Sequence, residues 1–338
     1  MPSSRTLRLL RWLPGTIVLA VLAYWAVRAL DWERFTDLLR HAEPAWLLVA
    51  AVLQVGTYVC AAGVLHRGIK ATDARQSLRS LIPLGLAKLF IDQVVPTGGI
   101  GGSVLVVKAL QRRGVSLGAA TAAVVVNTLA FYLAYAVAVA AALGILWLRK
   151  GNIHPAILIL VTIFGIYATT IPIAILWLVY GRTHQLPKWL QRVPGLDAAR
   201  QDLAEAPDSA LRRPLLFLEA GALQLGIILL DAATLQVLIQ SLGRTAEFST
   251  LFVSFVLASM AGTISLLPGG LGSFEAASVA ALRSLGIPLE VSLTGTFLLR
   301  GFTLWLPMIP GIWFARREMS ERGANGATPA SATEPPKS

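Results

Sequence analysis

Six apolar runs dominate the chain: Leu13 to Leu30, Ala45 to Leu65, Ala119 to Leu148, Ala156 to Tyr180, Pro214 to Leu242 and Val291 to Ala315. Each approaches or exceeds the roughly 20 residues that a helix needs to cross a hydrocarbon core of about 30 Å. Such runs force the backbone to satisfy its own hydrogen bonds, so the fold class they predict is an all-α polytopic membrane protein. Composition agrees. Of 338 residues, 55% are hydrophobic and 14% charged, against about 25% charged in a soluble domain. Lys and Arg outnumber Asp and Glu by 29 to 18, for a net charge of +11. In a hydrophobic chain that excess reads as cationic loops held on the cytoplasmic face, not as a nucleic-acid surface. The single cysteine, Cys60, excludes a disulfide framework within one chain.

Two further apolar stretches, Leu81 to Val95 and Phe248 to Leu267, break at Pro-Gly clusters. The first cluster is Pro96-Thr97-Gly98-Gly99-Ile100-Gly101-Gly102, and the second is Pro268-Gly269-Gly270-Leu271-Gly272. Proline lacks the amide donor and glycine tolerates positive φ, so a straight helix is not expected through either cluster. A kinked helix and a hairpin that enters the membrane and returns are the two readings. Loop charges favour the hairpins. Loop 66–79 carries Arg67, Lys70, Arg75 and Arg79, and loop 181–213 carries Arg182, Lys188, Arg192, Arg200, Arg212 and Arg213. Segment 31–44 instead holds Asp31, Glu33, Asp37 and Glu43 against Arg34 and Arg40. Six full spans and two hairpins place both basic loops and Arg316-Arg317 in the cytoplasm, at the expense of leaving Arg149-Lys150 outside. The expected layout is a basic cytoplasmic N-terminus over 1–12 and a transmembrane domain over 13–317. It contains re-entrant hairpins at 81–111 and 248–286 and ends in a disordered cytoplasmic tail at 318–338.

The clusters also repeat. Ala109-Leu110-Gln111-Arg112-Arg113-Gly114-Val115 follows the first much as Ala281-Leu282-Arg283-Ser284-Leu285-Gly286-Ile287 follows the second, with a long span next in both halves. Under this topology the hairpins enter from opposite faces, an inverted repeat of the kind found in transporters. Half-helices starting at Ser103 and Ser273 would present unpaired amides and the positive ends of their dipoles. Facing one cavity, they would make an anion site suited to a lipid phosphate.

Seven charged residues fall within apolar segments: Lys88, Asp92, Lys108, Glu219, Asp231, Glu275 and Arg300. At the bilayer centre each costs about 3 kcal/mol, so they must pair or face water. Lys88 and Asp92 are spaced to satisfy each other on one helix face. Lys108 and Glu219 suit the interface, and Glu275 suits a cap two residues after Ser273. Asp231 and Arg300 lie deeper and read as a partnered pair beside the cavity or as headgroup contacts. Gln224, Gln236 and Asn127 read as glue between helices. The expected substrate-binding set is Gly98, Gly99, Gly101, Gly102, Ser103, Gly269, Gly270, Gly272, Ser273, Glu275, Arg300, Asp231, Lys88 and Asp92. Catalytic residues, metal ligands and cofactors are not expected. His41, His66, His154 and His184 lack ligand spacing, and P-loop, dinucleotide and nucleophile-elbow motifs are missing. On these grounds the chain reads as a non-enzyme. Trp12, Trp32, Trp46, Trp147, Trp177 and Trp313 lie near span ends as an interfacial belt does.

Residues Pro96 to Gly102, the turn Arg112-Arg113-Gly114-Val115-Ser116 and the motif Pro268-Gly269-Gly270-Leu271-Gly272-Ser273-Phe274-Glu275 resemble the membrane domain of lysylphosphatidylglycerol synthase/flippases. The resemblance covers roughly residues 10 to 315 and includes the later Arg300. It implies movement of a phospholipid, glycolipid or polyprenyl-linked lipid between leaflets of a bacterial inner membrane; the loop charges, for their part, place both termini in the cytoplasm. Bifunctional members carry a separate soluble domain that transfers the aminoacyl group. The chain ends before such a domain, so synthase activity is not expected. Ser103 and Val106 stand where members often carry an acid and an arginine. The expected partners are membrane lipids with anionic or zwitterionic headgroups, together with a lipid-biosynthesis enzyme. A secondary transporter of a small polar solute and a non-transporting partner of such an enzyme are the alternatives.

The inverted repeat has a direct test. Cysteines placed beside Arg112 and beside Arg283 should react with an impermeant reagent from opposite faces of sealed vesicles, and labelling from one face would refute the arrangement.

Overall fold

Proline opens three of the long helices, where its missing amide is no loss and its fixed φ suits the first turn. In a computed structural model of the chain, which describes residues 43–72, 74, 76–94, 100–180, 213–265 and 267–320, these are α1 (Pro44–Lys70), α5 (Pro155–Tyr180) and α6 (Pro214–Ser241). Between α1 and α5 lie α2 (Leu78–Val94), α3 (Ile100–Arg112) and α4 (Leu117–Lys150). Beyond α6 come α7 (Phe248–Ile264), a 3-10 turn at Pro268–Gly270, and α8 (Ser273–Ser284). The last helix runs through α9 (Leu289–Arg300), a π-helical turn at Gly301–Trp305 and α10 (Leu306–Ser320). Ser116 caps α4, its hydroxyl accepting from the Ala119 amide at 3.3 Å, and Gly151 ends that helix at φ 65°.

Among the described residues the protein is helical, with no strand, and five helices are long and apolar enough to cross a membrane. They are Pro44–Lys70, Leu117–Arg149, Pro155–Trp177, Pro214–Ser241 and Leu289–Phe314, matching five of the six expected spans. The expected N-terminal region 1–12, the span 13–30, residues 31–42 of the acidic segment 31–44, residues 181–212 of the basic loop 181–213 and residues 321–338 lie outside the described residues. The final helix continues to Ser320, past Glu318, where the tail was expected to begin.

Helices α1 and α6 form the central antiparallel pair. The Glu43 amide donates to the Ser241 carbonyl at 3.1 Å, and Arg67 pairs with Glu219 at 3.1 Å near the other end. Small residues allow this close approach. A Cβ placed on Gly56 would stand 3.2 Å from a Leu230 methyl, and one on Gly63 would stand 3.2 Å from a Leu223 methyl. Gly68 is tighter still, since its Cβ would come within 2.7 Å of the Ala123 Cα on α4.

Each Pro-Gly cluster separates two helices that pack against one another, α2 on α3 and α7 on α8. The first pair returns to its starting level. Arg113 donates to the Ser80 carbonyl at 2.7 Å, and Gln76 donates to the Arg113 carbonyl at 3.3 Å. Helix α4 leaves from that base and spans about 50 Å at 1.5 Å per residue. At its far end Arg149 pairs with Glu247 and donates to Thr250 Oγ1 at 2.9 Å, at the base of α7. The two hairpins therefore open toward opposite ends of α4. They meet between those ends, where α2 packs against Pro268–Gly270. Arg149, the basic residue that the charge pattern leaves outside, is held there by an acid and two hydroxyls.

The last helix joins the two hairpins. Its α9 portion is tied to α8 by the Ser278 and Thr296 hydroxyls, 2.8 Å apart. Its α10 portion lies on α2, where a Cβ on Gly311 would stand 2.8 Å from the Phe90 Cβ. The π-turn, a form often found at functional sites, falls between these attachments.

Gly270 shows how closely the second turn is fitted. It adopts φ 63°, and a Cβ there would stand 2.8 Å from the Gly262 Cα. Gly270→Ala combines left-handed strain of about 1–2 kcal/mol with that collision, and should lower the thermal unfolding midpoint in detergent. Gly286→Ala is the control, because it shares a positive φ but has open space around it and should lose less.

Candidate functional site

Three glycines in the left-handed region, Gly269 (φ 61°), Gly270 (φ 63°) and Gly272 (φ 86°), turn the chain between α7 and α8. This leaves the Gly272 amide and the Gly269 carbonyl outside regular helix bonding, where membrane-depth backbone needs other partners. Side chains from α8 and α9 supply them. Glu275, in the first turn of α8, reaches back so that its Oε2 accepts from the Gly272 amide at 2.6 Å. Its other oxygen, Oε1, accepts from Arg300 Nε at 2.6 Å. Arg300 Nη2 donates to the Gly269 carbonyl, and the guanidinium carbon lies 4.9 Å from the centre of the Phe274 ring. One carboxylate thus caps a half-helix and neutralises a cation that is only 7% exposed. Arg300 Nη1 takes no protein acceptor among the described residues. Arg300 lies eleven residues into α9, about 17 Å along the helix axis and so near mid-depth.

The first hairpin repeats this logic with different residues. Lys88 Nζ pairs with Asp92 Oδ2 at 2.6 Å, and Asp92 Oδ1 accepts from the Gly102 amide at 3.0 Å. A Cβ on Gly102 would stand 2.4 Å from that oxygen, so the contact requires glycine. In both hairpins a carboxylate meets a glycine amide at the start of the returning helix. The acid comes from the first arm in one case and from the second arm in the other.

These positions depart from the sequence expectations in three ways. Helix α3 begins at Ile100, three residues before Ser103, so Gly101, Gly102 and Ser103 occupy its first turn. Asp92 explains the earlier start by accepting an otherwise orphaned amide. Second, the Gly102 and Gly272 amides are engaged by the protein's own carboxylates, where open amides were expected. Ser273 is also engaged, donating its hydroxyl to the Gly270 carbonyl at 2.9 Å. Third, Asp231 and Arg300 do not form a pair with each other. Arg300 takes Glu275, and Asp231 accepts from Gln54 Nε2 of α1 at 2.9 Å. Gly98 and Gly99 lie outside the described residues.

The structure thus groups Glu275, Arg300, Gly269, Gly270, Gly272 and Ser273 around one turn. It sets α2, which carries Lys88 and Asp92, against that turn. Asp231 belongs to a separate polar contact between α1 and α6. Lys108 is exposed, Glu219 pairs with Arg67, and Gln224 donates to Asn127 at 3.2 Å, as interfacial and helix-joining roles predict. Sequence reading missed Phe274 as the platform for Arg300, although its place beside Glu275 was a signal. It also missed Gln54, whose signal was a single amide inside an apolar span. The described residues contain no group of three or more His, Cys, Asp or Glu able to hold a metal.

Comparison with known proteins adds kinship to this geometry. Residues 12–311 match the family described as the lysylphosphatidylglycerol synthase TM region. Over 81 residues the chain is 35% identical to a Bacillus subtilis (strain 168) protein named phosphatidylglycerol lysyltransferase, a match covering 24% of this chain and 10% of that protein. Over 62 residues it is 36% identical to a Staphylococcus haemolyticus (strain JCSC1435) protein of the same name, covering 18% of this chain and 7% of that protein. The matched stretches span a tenth or less of these curated relatives. Both relatives carry an enzyme's name, and this overturns the reading of the chain as a non-enzyme.

The shared carboxylate predicts an asymmetric cost. Glu275→Ala strands a buried guanidinium and uncaps α8, and should destabilise by about 3–5 kcal/mol. Glu275→Gln, which retains an acceptor, should lose less. In a double-mutant cycle with Arg300→Met, thermal unfolding should show a smaller loss for the double variant than the sum of the singles. Additive losses would show that the pair is not coupled.

Proposed function

The chain belongs to the lysylphosphatidylglycerol synthase transmembrane-region family, and from that premise we propose that it moves a phosphate-bearing lipid between membrane leaflets. The observation that carries this reading is the meeting of two oppositely opening hairpins at one turn, with a buried arginine beside it. Broken helices that meet near the midplane suit a site reached alternately from either side. A lipid phosphate would take the Arg300 Nη1 edge and the donors that Lys88 retains beyond Asp92. The formal charges of Lys88, Asp92, Glu275 and Arg300 cancel. An arriving phosphate therefore competes with the two carboxylates for the same cations and amides, which favours exchange over tight capture. The glycine turns let a headgroup approach the backbone closely.

In this reading the hairpins are re-entrant, the basic loops and both termini face the cytoplasm, and the membrane is a bacterial inner membrane, in keeping with the bacterial relatives. Basic residues at that face would draw anionic headgroups at about 1 kcal/mol each. A second reading follows from the relatives' names: the chain is the membrane part of a system that places lysine on phosphatidylglycerol, beside or within a lipid-biosynthesis enzyme.

Reconstitution separates these possibilities. Purified protein in phosphatidylcholine vesicles should speed the transbilayer movement of fluorescent phosphatidylglycerol. Arg300→Ala, confirmed as folded by its unfolding transition, should reduce that rate about tenfold or more, the equivalent of losing 1.4 kcal/mol or more. An unchanged rate removes Arg300 from the mechanism. Movement of a small phosphorylated solute without lipid movement would favour the solute transporter. Lysylated phosphatidylglycerol in lipid extracts of expressing cells would support the second reading.

A further inference from the structure

Asp231 is the one charged residue at mid-depth on α6 that the proposed lipid site does not use. It stands ten residues before the end of α6, and Gln54 stands ten residues after the start of α1. Both are therefore about 15 Å from the same end of the bundle. Because the helices are antiparallel, the two residues meet at one level. Gln54 is 2% exposed and donates its amide to both Asp231 Oδ1, at 2.9 Å, and Thr234 Oγ1, at 3.0 Å. Thr234, fully buried, donates its own hydroxyl to the Leu230 carbonyl at 2.8 Å. Asp231 itself is partly buried, and its second oxygen, Oδ2, has no protein donor among the described residues.

A carboxylate at this depth normally takes a cation, and none faces Asp231 among the described residues. Four helices pack against α6. From α1 the titratable group that interacts electrostatically with Asp231 is Tyr58, whose hydroxyl donates to the Phe302 carbonyl at 3.4 Å, and from α4 it is Tyr135. Helix α9 carries Arg300, which is engaged by Glu275 and the Gly269 carbonyl. Glu219, on α6 itself, lies far along the helix and pairs with Arg67. The surroundings of Asp231 are thus one amide donor and two phenols. Such a setting suits a proton better than a metal cation, which would need several oxygen ligands where Gln54 presents an N–H. Oδ2, which has no protein donor among the described residues, is the oxygen that would take that proton, converting the carboxylate to a neutral acid and relieving an uncompensated charge between packed helices.

From this we infer that Asp231 is a proton-binding site that couples proton movement to the transport cycle. The coupling half of this inference rests on the translocation reading above, whereas the protonation half does not. Asp231 lies on the central helix pair, and α6 also packs against α7 and α9, the elements that carry the second hairpin and Arg300. A change of charge on α6 is therefore placed to bias how the second hairpin sits against the rest.

Two measurements on the full chain test the inference separately. Infrared difference spectra of the protein in phosphatidylcholine nanodiscs, taken between neutral and alkaline pH where exposed carboxylates stay ionised, should show a protonated-carboxyl component. That component should be lost in Asp231→Asn and shifted in Asp231→Glu. A spectrum in which no carboxyl component is lost in Asp231→Asn overturns the assignment. In vesicles, a pH difference of one unit should drive up to about a tenfold transbilayer asymmetry of fluorescent phosphatidylglycerol for one coupled proton. That asymmetry should vanish in Asp231→Asn and persist in Asp231→Glu. Lipid movement in the wild-type chain that ignores the pH difference overturns the coupling. An Asp231 band without any lipid movement overturns the translocation reading and leaves the proton site standing.

Discussion

Backbone that leaves the helix inside a packed helical bundle must find partners other than its own helix, and the two Pro-Gly clusters are where this protein meets that constraint. Its answer is the same in both places. A carboxylate accepts from the glycine amide that begins the returning helix, and a cation neutralises the carboxylate. In the second hairpin the cation also takes the carbonyl that the turn leaves open. Without these contacts the Gly102 and Gly272 amides and the Gly269 carbonyl would lose their partners, and an unpaired buried polar group costs several kcal/mol. The ion pairs are thus part of how the chain breaks its helices as well as candidates for contacting a headgroup.

The placement of the hairpins follows from packing. The close α1–α6 pair gives the bundle a centre, and α4 carries the chain from the base of one hairpin to the base of the other. The last helix then binds both, α9 to α8 through a hydroxyl pair and α10 to α2 through a glycine contact. Its π-turn falls directly after Arg300, between the two attachments. Small adjustments of α10 against α9 would therefore change how the first hairpin meets the second.

Much of this was legible in the chain. Apolar length alone located the five described spans, because a helix must cover a layer of fixed thickness. The Pro-Gly clusters marked both breaks, since proline and glycine act locally and need no tertiary partner. Glu275 as a cap and Lys88 with Asp92 as a pair were also readable, because each involves residues three or four apart. Less accessible were contacts between residues distant in sequence. Of the two readings for Asp231 and Arg300, a mutual pair or headgroup contacts, the pair failed because depth along a helix does not say which way a side chain faces. Ser273 was expected to serve a ligand, yet its hydroxyl folds back onto its own turn.

The sequence by itself determined the all-helical membrane class, the number and limits of the described spans, and the two points where helices break. These depend on hydrophobic length and on the backbone chemistry of single residues. Only the tertiary structure decided that α2 of the first hairpin packs against the turn Pro268–Gly270 of the second. It alone gave Arg300 to Glu275 and left Asp231 with an amide in place of a cation. The reason is physical: a buried charge takes whichever partner helix packing brings within hydrogen-bond reach, and that distance is set by the fold of the whole chain.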